Sequence, residues 1–89
     1  MSQTVEAEIL RLAAARGPTG STDPTEVARA LAPGPAGRWQ SGLGAVRQAA
    51  IRLARAGRID ILRKGRVVDP AQPIRGVIRL RIRPSGEPS

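Results

Sequence analysis

The sequence predicts an α+β fold in which three helices precede a β-hairpin and a further C-terminal segment. Apolar residues recur with a helical period up to about residue 56, and after Gly57 the period changes to two. Runs rich in glycine and proline separate the periodic segments. A length of 89 residues fits one domain with a small core. We expect that domain over residues 1–84 and a disordered tail over residues 85–89.

The first two helices are predicted by apolar spacing and by their ends. Apolar residues between Val5 and Ala13 share one side of a helix that Gly17 should terminate, because glycine accepts the left-handed cap. Asp23 is a natural N-cap for the second helix. Glu26 follows three residues later, where its carboxylate can close a capping box.

The third helix is expected from about Gly42 to Ala56, with Ser41 as its cap and Gly57 as its stop. Its apolar stripe consists of Leu43, Val46, Ala50, Leu53 and Ala54. The opposite side carries Gln48, Arg52 and Arg55. Arg47 lies at the edge of the stripe, where we expect it to pair with Glu26 or with an acid of the first helix.

Strand-like alternation follows in "RIDILRKGRVVDP", centred on Lys64 and Gly65, which suit a two-residue hairpin turn. That register sets Asp60 opposite Asp69, so either a neighbouring arginine relieves the repulsion or the register is shifted. "GVIRLRIRP" then alternates again, as a third strand or as an extended tail across the hairpin. Its two faces carry Ile78, Leu80 and Ile82 on one side and Arg79, Arg81 and Arg83 on the other.

Three helices followed by a hairpin is the element order of a winged helix-turn-helix. The stretches "ARGPTGSTDPTEVARALAP", "AVRQAAIRLARAGRI" and "GRVVDP", together with Trp39, resemble a small bacterial family of winged-helix-type proteins catalogued as a domain of unknown function. The resemblance runs from about Val5 to Ile82. It implies the fold and a bacterial cytoplasmic setting, but no activity and no site residues.

Charge is distributed unevenly along the chain. Residues 1–37 hold three arginines and four acids, a net charge of −1, whereas residues 38–89 hold twelve basic and three acidic side chains, a net charge of +9. Codon bias in a GC-rich genome can explain the preference for arginine over lysine, but not this asymmetry. A basic half of this kind favours an anionic partner, with nucleic acid, and DNA in particular, first.

Eight residues are candidates for binding nucleic acid, and each group has a simpler explanation. On the third helix they are Gln48, Arg52 and Arg55, which can contact base edges or phosphate, or merely form a solvated face. At the hairpin tip they are Arg63, Lys64 and Arg66, which also suit a tip that must resist edge pairing. On the final segment they are Arg79 and Arg81, whose row can follow phosphates or be a solvated strand face.

The residue types argue against an enzyme. Cysteine and histidine are absent, which removes thiolate metal sites and the usual acid–base residue at neutral pH, and we expect no metal and no cofactor. We expect Trp39 to cap the core. No long apolar run or basic leader occurs, so the expected compartment is the cytoplasm. A protein-interaction module with an acidic or apolar partner, an RNA or ribosome contact, and a homodimer all stay open.

Overall fold

The computed structural model describes residues 4–32 and 38–83, except for the side chains of residues 38 and 39. In chain order its elements are α1 (Val5–Arg16), α2 (Pro24–Leu31), a 3-10 helix (Arg38–Gly42), α3 (Leu43–Arg55), β1 (Ile59–Arg63), β2 (Arg66–Val67) and β3 (Arg79–Ile82). The α+β class, the three helices, the hairpin and the third strand are confirmed. The proposed role of Trp39 and the tail over residues 85–89 lie outside the described side chains and residues.

Both ends of α1 follow the local sequence. The Thr4 side chain accepts a hydrogen bond from the Ala7 backbone N–H at 3.0 Å, which satisfies one of the unpaired donors of the first turn. The helix ends at Gly17, whose φ of 77° is a left-handed conformation that glycine adopts without a steric penalty. The predicted stop is therefore confirmed.

Only one of the two hydrogen bonds of the predicted capping box forms at the N-terminus of α2. Asp23 Oδ1 accepts the Glu26 backbone N–H at 2.8 Å. The reciprocal contact predicted for Glu26 is wrong, because its carboxylate accepts the Thr22 hydroxyl and pairs with Arg16 instead. Thr22 is fully buried, so its hydroxyl needs a partner inside the protein, and Glu26 provides it.

The start of α3 differs from the prediction. Ser41 belongs to the preceding 3-10 helix, and the N-cap position is Gly42, which makes no side-chain cap hydrogen bond. A capping side chain requires an extended backbone at the cap, whereas Gly42 has helical angles because the chain enters α3 directly from the 3-10 helix. At the other end the chain turns at Gly57, which has a φ of 77°.

The hairpin turn and its register are confirmed. Leu62 pairs with Val67 and Arg63 pairs with Arg66, which leaves a two-residue turn between the strands. The turn residues, Lys64 and Gly65, have φ angles of 53° and 79°, the pair of positive values that a type I′ turn requires.

The third strand makes β1 the centre of a three-stranded antiparallel sheet with the order β2-β1-β3. Asp60 of β1 is the partner of Arg81 of β3. Because β2 ends at Val67, no ladder pair sets Asp60 against Asp69. The charge of Asp60 is thus offset by an arginine, which was one of the two predicted alternatives.

The connection between α1 and α2 adds one further bridge to this sheet. Thr22 exchanges two backbone hydrogen bonds with Leu80 of β3, at 2.8 Å and 2.7 Å. Strand β3 therefore lies between this bridge and β1.

The core lies between the three helices and one face of the sheet. Its fully or almost fully buried apolar residues are Ile9, Val27, Ala28, Val46, Ala49, Ala50, Leu53, Ile59, Ile61, Ile78 and Leu80. The alternation of β3 accounts for the burial of its apolar face and leaves its arginines on the other face. In residues 4–32 and 38–83, no helix has the length and apolar character needed to cross a bilayer.

Candidate nucleic-acid interface

The outer face of α3 carries the predicted residues Gln48, Arg52 and Arg55, all of them exposed. These side chains line a shallow groove of about 400 Å³ together with the segment of residues 70–74, which runs alongside the helix. The face is thus open to solvent, but a proline-containing segment flanks it.

Arg52 is held by an acid of α1. Its Nε lies 2.8 Å from Glu6 Oε2, and both side chains are partly exposed. An exposed ion pair of this kind contributes roughly 0 to 1 kcal/mol to stability, so a stronger anion can displace Glu6. Gln48 and Arg55 make no side-chain hydrogen bond or ion pair within the described part of the chain.

Arg47 does not make the contact predicted for it. Its guanidinium donates to the carbonyl oxygen of Ile74 at 3.0 Å and to that of Gly76 at 3.2 Å. The predicted partner Glu26 is already bound to other groups, whereas the carbonyls before β3 lie within reach of the half-buried Arg47. Arg47 therefore connects α3 to the segment that precedes β3.

The hairpin tip presents three exposed cations to solvent. Arg63, Lys64 and Arg66 are exposed, and none of them makes an ion pair or side-chain hydrogen bond in residues 4–32 and 38–83. The Arg63 guanidinium lies over Gly76, where an added Cβ atom would be 3.5 Å from its Nε. The hairpin tip and the segment containing Arg75 and Gly76 are therefore neighbours.

Arg79 of β3 is bound to the connection between α1 and α2. Its guanidinium donates to Ser21 Oγ at 2.8 Å, to the Ser21 carbonyl at 2.9 Å and to Asp23 Oδ2 at 3.1 Å. These contacts use much of its donor capacity, and they explain its position without an external partner.

Arg81 and Arg83 share the carboxylate of Asp60. Arg81 donates to Asp60 Oδ2 at 2.8 Å, and Arg83 Nε lies 3.4 Å from Asp60 Oδ1. Acids and a carbonyl of this chain hold Arg79, Arg81 and Arg83, so this row of like charges is offset within the protein without an outside partner.

The cations that have no partner within the described part of the protein are not the same residues as those predicted to bind nucleic acid. Among the described residues, the cations without an ion pair or side-chain hydrogen bond are Arg55, Arg58, Arg63, Lys64, Arg66 and Arg75. The eight predicted residues do not include Arg58, which stands at the start of the predicted hairpin, or Arg75, which precedes the alternating residues of β3. No local signal in the sequence separates Arg75 from Arg79 and Arg81, whose acidic partners lie 56 and 21 residues away along the chain.

Almost the whole chain matches a known protein family. The model of the family described as "Protein of unknown function (DUF3253)" matches residues 2–83. The protein belongs to the DUF3253 family. The resemblance of the sequence motifs to a domain family of unknown function is thereby confirmed, and it brings no activity with it. No curated protein matches the sequence.

One carboxylate of the DUF3253 domain is buried away from the basic surface. Glu8 of α1 is 2% exposed, and Arg11 Nε donates to its Oε1 at 3.1 Å. That hydrogen bond, reinforced by the charge of Arg11, holds the pKa of the Glu8 carboxyl below its ordinary value against the opposing effect of burial. Glu8 is therefore charged at neutral pH and acts in the fold.

The described residues of the DUF3253 domain contain no group of three or more acidic, histidine or cysteine side chains that could hold a metal ion. Asp60 and Asp69 do line the same pocket, of about 250 Å³. Asp60 is bound by two arginines, and Asp69 Oδ1 accepts the Ala71 backbone N–H at 2.9 Å. This pair is thus engaged within the protein.

Proposed function

We propose that this DUF3253 protein is a non-enzymatic winged-helix protein that binds duplex DNA through arginine–phosphate contacts. The element order supports the winged-helix assignment, since α1, the Thr22 bridge, α2 and α3 are followed by strands β1 and β3, which pair with each other. In this arrangement α3 is the recognition helix. The hairpin formed by β1 and β2 is the wing, and its tip carries Arg63, Lys64 and Arg66.

The observation that carries the proposal is the exposed, unpaired cationic tip of that wing. Within the described part of the chain, Arg63, Lys64 and Arg66 have no acid to neutralise them, whereas the arginines on β3 do. A cation already paired within the protein must give up its partner to gain a phosphate, but an unpaired one releases only water and counterions. The tip is therefore expected to supply more of the binding free energy than β3.

A salt titration tests the proposal. Binding to a random 20-base-pair duplex is followed by fluorescence anisotropy, and each phosphate contact adds about 0.9 to the slope of log K against log salt. The variant Lys64→Asn/Arg66→Gln, whose asparagine tolerates the positive φ of residue 64, should lower that slope by up to about 1.8. A flat salt response of the unmodified protein, or no detectable binding, would refute the proposal.

A matched control separates location from total charge. The variant Arg16→Gln/Arg29→Gln also removes two positive charges, but from α1 and α2, and should leave the slope of log K against log salt nearly unchanged. Melting temperatures of both variants confirm that they fold. Equal losses in the two variants would show that only net charge matters and would contradict an interface at the wing.

A protein-interaction module is the second candidate, and one observation favours it. Gly44 and Ala45 at the start of α3 are exposed and offer no polar side chain. An apolar groove of about 300 Å³ lies beside them, lined by Val5, Ala28, Leu31, Ala32, Ser41, Gly42, Ala45 and Val46. The Lys64→Asn/Arg66→Gln variant distinguishes the two candidates, since unchanged DNA affinity favours the protein partner. A structured RNA used as competitor identifies an RNA preference.

A further inference from the structure

We infer that the interface binds duplex DNA without regard to base sequence, an inference that rests on the proposed function and specifies its ligand. Sequence is read when polar side chains near the start of a recognition helix reach base edges in the major groove. In this protein the first turn of α3 lacks such side chains, Arg47 and Arg52 are bound within the chain, and the polar side chains that stay available on α3 are far apart.

The first turn of α3 has no side chain that could discriminate between bases by hydrogen bonding. Gly44 and Ala45 are exposed, and a Cβ atom at Gly42 or Gly44 would have no neighbour within 4 Å. This surface allows close approach of a duplex, but Gly44 and Ala45 have no side-chain donor or acceptor. At this end α3 can follow the shape of a groove and cannot read hydrogen bonds in it.

The longer side chains of α3 are mostly committed to the protein itself. Arg47 is bound to the carbonyl oxygens of Ile74 and Gly76, and Arg52 is bound to Glu6. If Arg47 left its carbonyls to bind a base, the segment before β3 would lose its connection to α3. A guanidinium–guanine contact, the commonest specific one, would therefore cost Arg47 its bonds to the segment before β3 and Arg52 its ion pair with Glu6.

Gln48 and Arg55 are the polar side chains of α3 that have no partner among the residues the structure describes, and they are poorly placed to read a site together. They are seven residues apart, which corresponds to about 10 Å along a helix axis. Gln48 also lies in the groove flanked by residues 70–74, and Arg55 is in the last turn. One glutamine and one arginine separated by about 10 Å cannot define a sequence of several base pairs.

The remaining unpaired cations suit phosphates. Arg63, Lys64, Arg66 and Arg75 gather at the wing tip and its neighbouring segment, and Arg58 lies in the turn after α3. Contacts of this type fix the position of a protein on a duplex and carry no sequence information. Contacts with the phosphate backbone of the DNA are therefore expected to supply most of the free energy of binding.

Selection from a duplex library with a randomised 20-base-pair centre tests this inference. Sequencing of the bound fraction after several rounds should show no enriched motif. Duplexes of equal length but different sequence should bind with affinities within about threefold of one another. The substitution Gln48→Ala should change affinity by less than about twofold, whereas loss of a bidentate base contact costs roughly 5- to 150-fold.

The outcomes separate this inference from the proposed function. An enriched motif, or an affinity range above tenfold, overturns sequence-independent binding and leaves the DNA-binding proposal in place. Absence of binding to every duplex overturns both. Arg55→Gln provides the positive control, because loss of a phosphate contact should lower affinity equally for all sequences.

Discussion

The connection that Arg47 makes between α3 and the segment before β3 gives the sharpest stability prediction. Substitution of Arg47 by methionine keeps most of the aliphatic stem but removes both donors to the carbonyls of Ile74 and Gly76. A hydrogen bond to a charged group contributes about 1.5 to 3 kcal/mol. Because Ile74 and Gly76 stay partly accessible to water, we expect the two hydrogen bonds together to contribute about 2 kcal/mol to the free energy of unfolding.

Thermal unfolding followed by circular dichroism measures this effect. In a domain of this size 1 kcal/mol corresponds to roughly 4–8 °C, so Arg47→Met should lower Tm by about 8–16 °C. Limited proteolysis adds a local measurement, since cleavage within residues 74–78 should become faster. The matched control is Arg55→Met on the same helix, which removes a guanidinium without a described partner and should change stability by less than about 0.5 kcal/mol. A fall in Tm below about 2 °C, with unchanged cleavage, would refute the argument.

Three further predictions concern individual charges and the turn. Replacing Glu6 by glutamine frees Arg52, and the free energy of unfolding should change by less than about 1 kcal/mol because the ion pair is exposed. The slope of log K against log salt for DNA binding should rise by at most about 0.9. A lower slope would contradict a phosphate contact by Arg52. The lowered pKa of Glu8 means that its carboxylate stabilises the fold above its ordinary pKa of 4.5 and that this stabilisation is lost as pH falls through the lowered value. Urea unfolding should therefore show Glu8→Gln less stable than the unmodified protein at pH 7, with a gap that narrows at pH 3; a constant gap argues against the role of Arg11. Lys64→Asn should raise the free energy of unfolding by up to about 1 kcal/mol, because asparagine adopts positive φ more readily than lysine, and an unchanged melt would contradict that.

Features determined by neighbouring residues could be predicted from the sequence. The cap at Asp23, the stop at Gly17 and the turn at Lys64 and Gly65 each depend on the backbone preferences of a few adjacent residues. The apolar alternation of the strands likewise fixed the face that packs on the helices. Ser41 was mistaken for a cap because the 3-10 helix before α3 has no such local signal.

The partners of the charged side chains could not be predicted in this way. Arg79 binds Ser21, 58 residues away, and Arg52 binds Glu6, 46 residues away. A guanidinium on a long flexible stem can reach many acceptors, and only the packed fold decides which acceptors are near. The alternation of β3 correctly set its arginines on one face, but it did not reveal that Asp60 lies beneath two of them.

The two hydrogen bonds between Thr22 and Leu80 also constrain the order of folding. They join the connection after the first helix to the last described strand, so the sheet cannot be completed by any local part of the chain. During synthesis the three helices emerge before their partner strand, and the apolar face that they present stays uncovered until β3 is free of the ribosome. Chain closure of this length makes folding slow for a small domain. Truncation before Arg79 should accordingly leave the helices without a stable tertiary structure.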